Sequence, residues 1–566
     1  MKRLLLAAAA VLAAAFVFVL FLLPPKRLTL PPPAWPSAAR TAVGALHVHT
    51  NTSDGSGTPE DVAAAAARAG LNFVIFTDHG DGTRAPAPPA YRSGVLCLDA
   101  VEISTAEGHY IALGLPRAPY PLAGEPREVI EDVKRLGGFG IAAHPDSRKQ
   151  ALQWHEWTAP FDGLEWLNAD SEWRDVDRRR LARALVTYPF RPVETLGSML
   201  DRPDVTMARW DALTARRRVV GVAGADAHAR AGWQDNDALG YREKWFLRIP
   251  SYATSFRMYA LRVNLERPLS PLNNDAPADA NSLLQALRAG HVYTAIDAIA
   301  SPAALDFSAT SSTGVAEQGD RLEPGSPITF RARVNAPAGG TIMLRKDGAI
   351  VAAHPVPELS FEAPAGPGVY RVEVELAAST GRPPVPWIVS NPIYVEPAAW
   401  DTATVEPALP PSVDRWSMQG GPWHAEHDAA SNATFLQTAP PSGPVALTFR
   451  LASGSRAGQY AALVMSAGNA LTGHARFSFT ARASTPMRVS LQARRPSGAR
   501  WQRSIYVDTT AREIAVPFTD MKPVDASSPL HFVPADIDTV LFVVDTTNTA
   551  PGTSGQFEIG DLKVEH

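Results

Sequence analysis

Six histidines and three acids recur at the ends of successive apolar runs, and this recurrence constrains the fold more tightly than any other property of the chain. Leu46-His47-Val48-His49 is followed by Ser53-Asp54-Gly55 and, after a helical run, by Phe76-Thr77-Asp78-His79-Gly80. Glu102 and His109 come next, then Ala143-His144-Pro145, and last Gly224-Ala225-Asp226-Ala227-His228. Residues two apart on a strand leave by one face, so His47 and His49 are expected to point together. Acids and imidazoles at successive strand ends would then gather on one rim, where barrel enzymes build their sites. Six imidazoles with three carboxylates suit Zn, Mn or Fe, whereas Ca and Mg prefer shells of oxygen. The chain has 14 histidines; His155, His291, His424 and His427 lack this context and read as structural or surface residues.

The same runs give the architecture. Strands are predicted at Val43 to His49, Leu71 to Thr77, Val95 to Ile103, Tyr110 to Gly114, Phe139 to Ala143, Gly163 to Leu167 and Val219 to Ala223. Helices are predicted from Thr58-Pro59-Glu60 to Gly70, and over Glu125 to Leu136, Trp173 to Val186, Asp204 to Arg217 and Asn281 to Ala289, the last leading to a strand near Tyr293. Strands and helices in alternation point to parallel βαβ units closing into a barrel over residues 43–300. Beyond Pro302 the period drops to two, predicting an immunoglobulin-like β-sandwich over 301–397, a Pro/Ala linker over 398–411 and a jelly-roll-like β-domain over 412–566. In that last domain Arg488, Ser490, Gln492 and Arg494 alternate with Met487, Val489 and Leu491. With Trp501 they form a candidate glycan-binding stripe.

A chain of 566 residues exceeds the roughly 250 to 300 residues a single core sustains. A net charge of -4 with no basic run argues against a nucleic acid polymer as partner. The single cysteine, Cys97, sits in an apolar run and reads as a small buried hydrophobe. After Met1-Lys2-Arg3 the run Leu4 to Leu23 is uncharged and long enough as a helix to cover the ~30 Å bilayer core. It exceeds the usual signal-peptide core of about 7 to 15 residues, so residues 1–23 are read as an uncleaved anchor, with a cleaved signal as the alternative. Residues 24–42 form a proline-rich stalk. The expected location is membrane-anchored and extracytoplasmic.

Taken in order, His47-x-His49-Thr50, Ser53-Asp54-Gly55, Thr77-Asp78-His79, Glu102 with His109, Ala143-His144-Pro145 and Asp226-x-His228 resemble the successive motifs of the PHP (polymerase and histidinol phosphatase) metallohydrolases. The phrase Ala286-Leu287-Arg288-Ala289-Gly290-His291-Val292-Tyr293 resembles the branch that includes carbaryl-type carbamate hydrolases. The resemblance implies a distorted (β/α)7 barrel with three divalent metal ions. His47, His49, Glu102 and Asp226 would hold one, Glu102, His109 and His144 a second, and Asp54, His79 and His228 a third. Three such ions against three carboxylates leave a surplus of about +3, which favours a small anionic substrate. Asp78 is a candidate to orient His79 or a neighbouring ligand, and Arg84, Arg148 and Arg230 are candidates to grip the substrate. The leading reading is an exported phosphoesterase. Its rivals are a carbamate, ester or amide hydrolase in the same pocket, and a cell-envelope carbohydrate-binding protein whose barrel is secondary.

Overall fold

The computed structural model describes residues 2–33, 35–235, 242–271, 275–324, 327–336, 338–364, 366–396, 415–419, 421–437, 443–454, 458–524, 528–529 and 531–566. The chain divides into two compact units. One comprises Met1–Gly80, Pro86–Pro116 and Gly137–Val405, the other Asp81–Ala85, Arg117–Leu136 and Glu406–His566. The expected linker at 398–411 lies outside the described residues.

The first unit opens with α1 (Lys2–Leu22), which covers most of the apolar run. Among the described residues no helix is long and apolar enough to cross a membrane, so the anchor reading rests on the sequence. β1 (Thr41–Val48) is followed by α2 (Pro59–Ala69). Thr58 Oγ1 accepts from Asp61 N and Asp61 Oδ2 accepts from Thr58 N, both at 3.1 Å, so each side chain satisfies an N–H that the first helical turn leaves open. Pro59 needs no donor at its position, and Gly70, at φ 83, ends the helix in a left-handed turn. The buried face of α2, Val62 to Ala66, packs on Val48, Val74 and Val95.

β2 (Phe73–Phe76) and β3 (Val95–Asp99) continue parallel to β1. β4 (Val101–Thr105) and β5 (Gly108–Leu113) form an antiparallel hairpin. The expectation of parallel pairing at Tyr110 to Gly114 is therefore corrected: only Ala106 and Glu107 separate the two strands, and a parallel crossover needs about a dozen residues or more. α3 (Pro126–Arg135) forms where a helix is expected but belongs to the second unit. β6 (Phe139–Ala142) is antiparallel to β5, and β7 (Gly163–Asn168) is parallel to β6. The helix expected over Trp173 to Val186 is two helices, Ala169–Asp175 and α4 (Arg178–Thr187). Asp177 makes the break by accepting from Arg179 N and Arg180 N at 2.8 and 3.0 Å, a role that draws a short acid out of helical geometry. β8 (Val220–Gly224) is parallel to β7.

The end of β2 lies beside β4, and the end of β1 beside the segment after β8. His79 bridges to Glu102 on one side and Val48 to Ala227 on the other. Ala225 N donates to Leu46 O (2.9 Å) and His49 N to Ala227 O (3.1 Å), bringing the end of β8 beside the end of β1. β9 (Ala260–Asn264) pairs antiparallel with β1 and with β10 (Val292–Ala295). β10 pairs in turn with β11 (Ile388–Ser390), so one sheet runs from β1 to β3 into the following β-rich segment. The Asn391 amide locks the junction, donating to Gly221 O and Val292 O and accepting from Gly221 N, all at 2.8 Å.

Among its described residues the second unit holds two six-stranded antiparallel sheets around Leu447, Phe477, Phe479, Leu491 and Phe542. β12 (Met487–Arg494) and β13 (Arg500–Val507) lie in one of them. The period-two alternation of β12 is present, but its polar side is covered. Arg488 Nε donates to Asp132 Oδ2 at 2.7 Å and Nη2 to Glu128 O at 2.8 Å, and Ser504 N donates to Glu128 Oε1 at 2.8 Å. Helix α3 thus covers the Arg488 end of the stripe expected to receive a glycan, while Arg494 at the other end is paired with Glu426. Trp501 is fully buried and donates through Nε1 to Pro529 O at 3.0 Å, so it offers no stacking face.

Candidate metal centre

His47 and His49 converge, but not through the regular alternation of a strand. The β1–β2 register shifts between Ala45 and Val48, and His47 sits at φ 65. His144 (φ 30) and Asp226 (φ 42) share this left-handed backbone, which non-glycine residues seldom adopt and which concentrates at functional sites. Tyr252 clamps the loop after β1: its hydroxyl donates to His49 O (2.9 Å) and accepts from Ser56 N and Gly57 N (3.1 and 3.2 Å).

Around one point lie His47 Nε2, His49 Nε2, Glu102 Oε2 and Asp226 Oδ1. Each imidazole nitrogen is 3.3 Å from Glu102 Oε2 and 3.4 Å from Asp226 Oδ1. Four ligands at about 2.1 Å from a zinc-like ion, in a tetrahedron, stand about 3.4 Å apart. His47 Nε2, His49 Nε2 and Glu102 Oε2 are buried with no hydrogen-bond partner among the described residues, an unfavourable arrangement unless a cation completes it. The residues present fit a metal ion.

Two further groups flank the first. His109 Nδ1 and His144 Nε2 both lie 2.8 Å from Glu102 Oε1, so one carboxylate serves both groups. Asp54 Oδ2 stands 3.3 Å from His228 Nε2 and 3.7 Å from His79 Nε2. His79 also turns Nδ1 to Glu102 Oε2 at 3.2 Å, standing between the clusters. All nine sequence-identified ligand residues fall into overlapping groups able to hold an ion. His47, His49, Glu102 and His144 are buried, while Asp54, His79 and His228 reach solvent, so the third group is the open flank.

The charges answer one another. Burial opposes ionisation of His49, but Asp226 and Glu102 outweigh it and push its pKa up to about 10. His47 is likewise raised against burial by Asp226, Glu165 and Glu102. Glu102 is held well below the carboxylate range, burial notwithstanding, by His47, His109 and His144. These carboxylates demand positive charge, which divalent ions would supply.

Glu165 escaped the sequence reading. Its Oε1 is 2.6 Å from His47 Nδ1, and its Oε2 accepts from His144 N (2.7 Å) and Asn168 Nδ2 (2.9 Å). A Cβ on Gly224 would lie 1.6 Å from Glu165 Oε1, which explains the glycine there. The signal was an acid inside the apolar run Gly163-Leu164-Glu165-Trp166-Leu167. Among the other candidates, Asp78 faces Thr50 and Ser53, accepting from Thr50 N at 2.8 Å and Ser53 Oγ at 2.6 Å; Ser53 Oγ stands 3.4 Å from His49 Nδ1. Arg230 Nη1 donates to Asp54 O at 2.6 Å. Arg148 is exposed and ion-paired with Asp175 at 2.5 Å, and Arg84 belongs to the second unit.

Residues 45–106 match the model of the PHP domain. An uncharacterised protein of Methanocaldococcus jannaschii is 32% identical over 138 residues, 22% of this chain and 80% of that one. The chain belongs to the PHP family. As a PHP protein it is a metal-dependent hydrolase. A 3',5'-nucleoside bisphosphate phosphatase of Chromobacterium violaceum is 35% identical over 123 residues, 19% of this PHP chain and 42% of the relative. Among solved structures, a two-domain protein of Bacteroides vulgatus containing a predicted PHP-like metal-dependent phosphoesterase aligns at a TM-score of 0.30 and 15% identity, over 65% of this chain and 99% of that one. A family 11 carbohydrate-binding module of a Clostridium thermocellum cellulase aligns at a TM-score of 0.23 and 15% identity, over 27% and 96%.

Proposed function

We propose that the chain is an exported phosphoesterase acting on small phosphorylated molecules, held at the membrane by α1. In this reading a three-ion centre stands at the end of a distorted (β/α)7 barrel, followed by an immunoglobulin-like sandwich and a jelly-roll-like domain. Seven strands support the barrel, counting β3 and β4 as one bent strand. The observation that carries the function is the set of four donor atoms 3.3 to 3.4 Å apart across each imidazole–carboxylate pair, three of them buried with no hydrogen-bond partner among the described residues. His47, His49, Glu102 and Asp226 would hold one ion, Glu102, His109 and His144 a second, and Asp54, His79 and His228 a third. Bound ions of this kind lower the pKa of water towards about 7 and polarise a phosphoryl oxygen.

The chain's own residues fix the frame. Glu165 orients His47 and pins the main chain at His144, Asp78 holds Ser53 beside His49, and Arg230 holds the Asp54 carbonyl. The flank of Asp54, His79 and His228 is the approach for an anionic substrate, and the likeness to a nucleoside bisphosphate phosphatase supports a phosphate ester there. The test is a screen of the full chain, loaded in turn with Zn, Mn and Fe, against nucleoside bisphosphates, other phosphomonoesters, phosphodiesters and aryl carbamates. Phosphate-ester turnover that His49→Ala and Asp226→Ala abolish is expected. Turnover of carbamates alone overturns the substrate class, and full activity in both variants overturns the site.

A further inference from the structure

A cluster of arginines lies where α1 ends. A cavity of about 810 Å³ is lined by Pro24, Arg178, Arg179, Arg180, Arg183 and Arg382, with Asp177 the one acid among its lining residues. Asp177 is engaged in capping α4 and Arg180 is paired with Asp201 at 2.7 Å. The remaining arginines give the cavity a strong positive surplus. Two of the basic side chains tie this region to the exit of the apolar run: Arg183 Nε donates to Leu22 O at 2.6 Å, and Arg191 donates to Pro24 O.

The same helix presents apolar side chains outward. Ala184 and Thr187 face inward, while Leu181, Leu185 and Val186 are exposed, Leu185 at 72%, and Phe190 follows just beyond. A helix with arginines beside solvent-facing leucine and valine has the composition of one that lies in a membrane interface. Exposed apolar patches flanked by charge mark interaction sites.

We propose that this face docks on an anionic phospholipid surface, with lipid phosphates in the arginine cavity and Leu181, Leu185, Val186 and Phe190 at the headgroup boundary. Charge complementarity and continuity with the end of α1 single out this occupant. The inference rests on the reading of α1 as an anchor: a chain leaving the bilayer at Leu22 to Pro24 carries α4 to headgroup level.

Cys97 is buried, so Leu185→Cys gives one reactive thiol for an environment-sensitive fluorophore. The labelled full chain is placed in nanodiscs of phosphatidylcholine, with and without phosphatidylglycerol. A blue shift confined to the phosphatidylglycerol discs is expected. Each arginine near such a surface is worth about fivefold, so Arg178→Gln, Arg179→Gln and Arg382→Gln together lower docking about 100-fold. Co-elution with the discs reports the anchor separately. Co-elution with unshifted emission in both compositions overturns the docking face and leaves the anchor standing. A chain that fails to enter discs yet sediments with phosphatidylglycerol vesicles in an arginine-dependent way overturns the anchor and keeps the face. A shift produced by free pyrophosphate but not by lipid makes the cavity a soluble-anion site and overturns the proposal.

Discussion

Glu165 illustrates what residue-level pattern reading captures and what it omits. Ligands announce themselves because strand ends place them at regular intervals, whereas a carboxylate that only steadies a ligand has no spacing to obey. Its effect is measurable. Carboxylates that orient a ligating histidine sustain metal affinity, so Glu165→Gln is expected to weaken binding by about 10- to 100-fold, read by competition with a chromophoric chelator. The left-handed backbone of His47, His144 and Asp226 was equally invisible, since nothing in these residue types demands it. Glu172 offers a different test. Burial lifts its pKa to about 8 against the hydrogen bond from Asp201 N, with Asp146, Asp201 and Asp175 adding like charge. The folded state therefore holds a proton that the unfolded chain releases near pH 4.3, and stability falls as pH rises between about 4.3 and the folded value. Glu172→Gln removes that slope. In denaturation series its advantage over the parent is expected to open from about pH 5 and level off above about pH 8, at no more than about 5 kcal/mol.

At the scale of elements, periodicity located most strands and helices but not their partners. β12 alternates as expected, yet alternation records which side chains share a face and not what covers that face. Here α3, delivered from a distant part of the sequence, covers Arg488 at one end of the expected glycan stripe. The β4–β5 hairpin shows the same limit in reverse: a connection as short as Ala106 and Glu107 excludes a parallel crossover, whatever the alternation of strands and helices around it suggests. Arg488 tests the α3 contact. It is 2% exposed and bonded to Asp132 and Glu128. Removing one partner of such a buried pair leaves the other charge uncompensated, so Arg488→Ala is expected to destabilise the second unit by about 3 to 5 kcal/mol, measured by its denaturant midpoint. An unchanged midpoint would show that α3 contributes nothing to that unit.

For the whole molecule, the metal centre lies entirely in the first unit, so unfolding is not expected to follow a single two-state transition. An ion present at about 100 times its Kd stabilises the state that binds it by about 2.7 kcal/mol. Chelation is expected to lower the melting transition of the first unit in calorimetry while the other transition stays in place; equal movement of both would contradict an independent second unit. The chain passes between units after Gly80, Ala85, Pro116, Leu136 and Val405. Genetic excision of the C-terminal β-domain at its apparent boundary would therefore leave α3 behind and strand Arg488 and Arg503 without their acids. The two units are an interleaved pair that a single scissor cut cannot separate, and any recombinant fragment or domain fusion has to carry residues 117–136 with it.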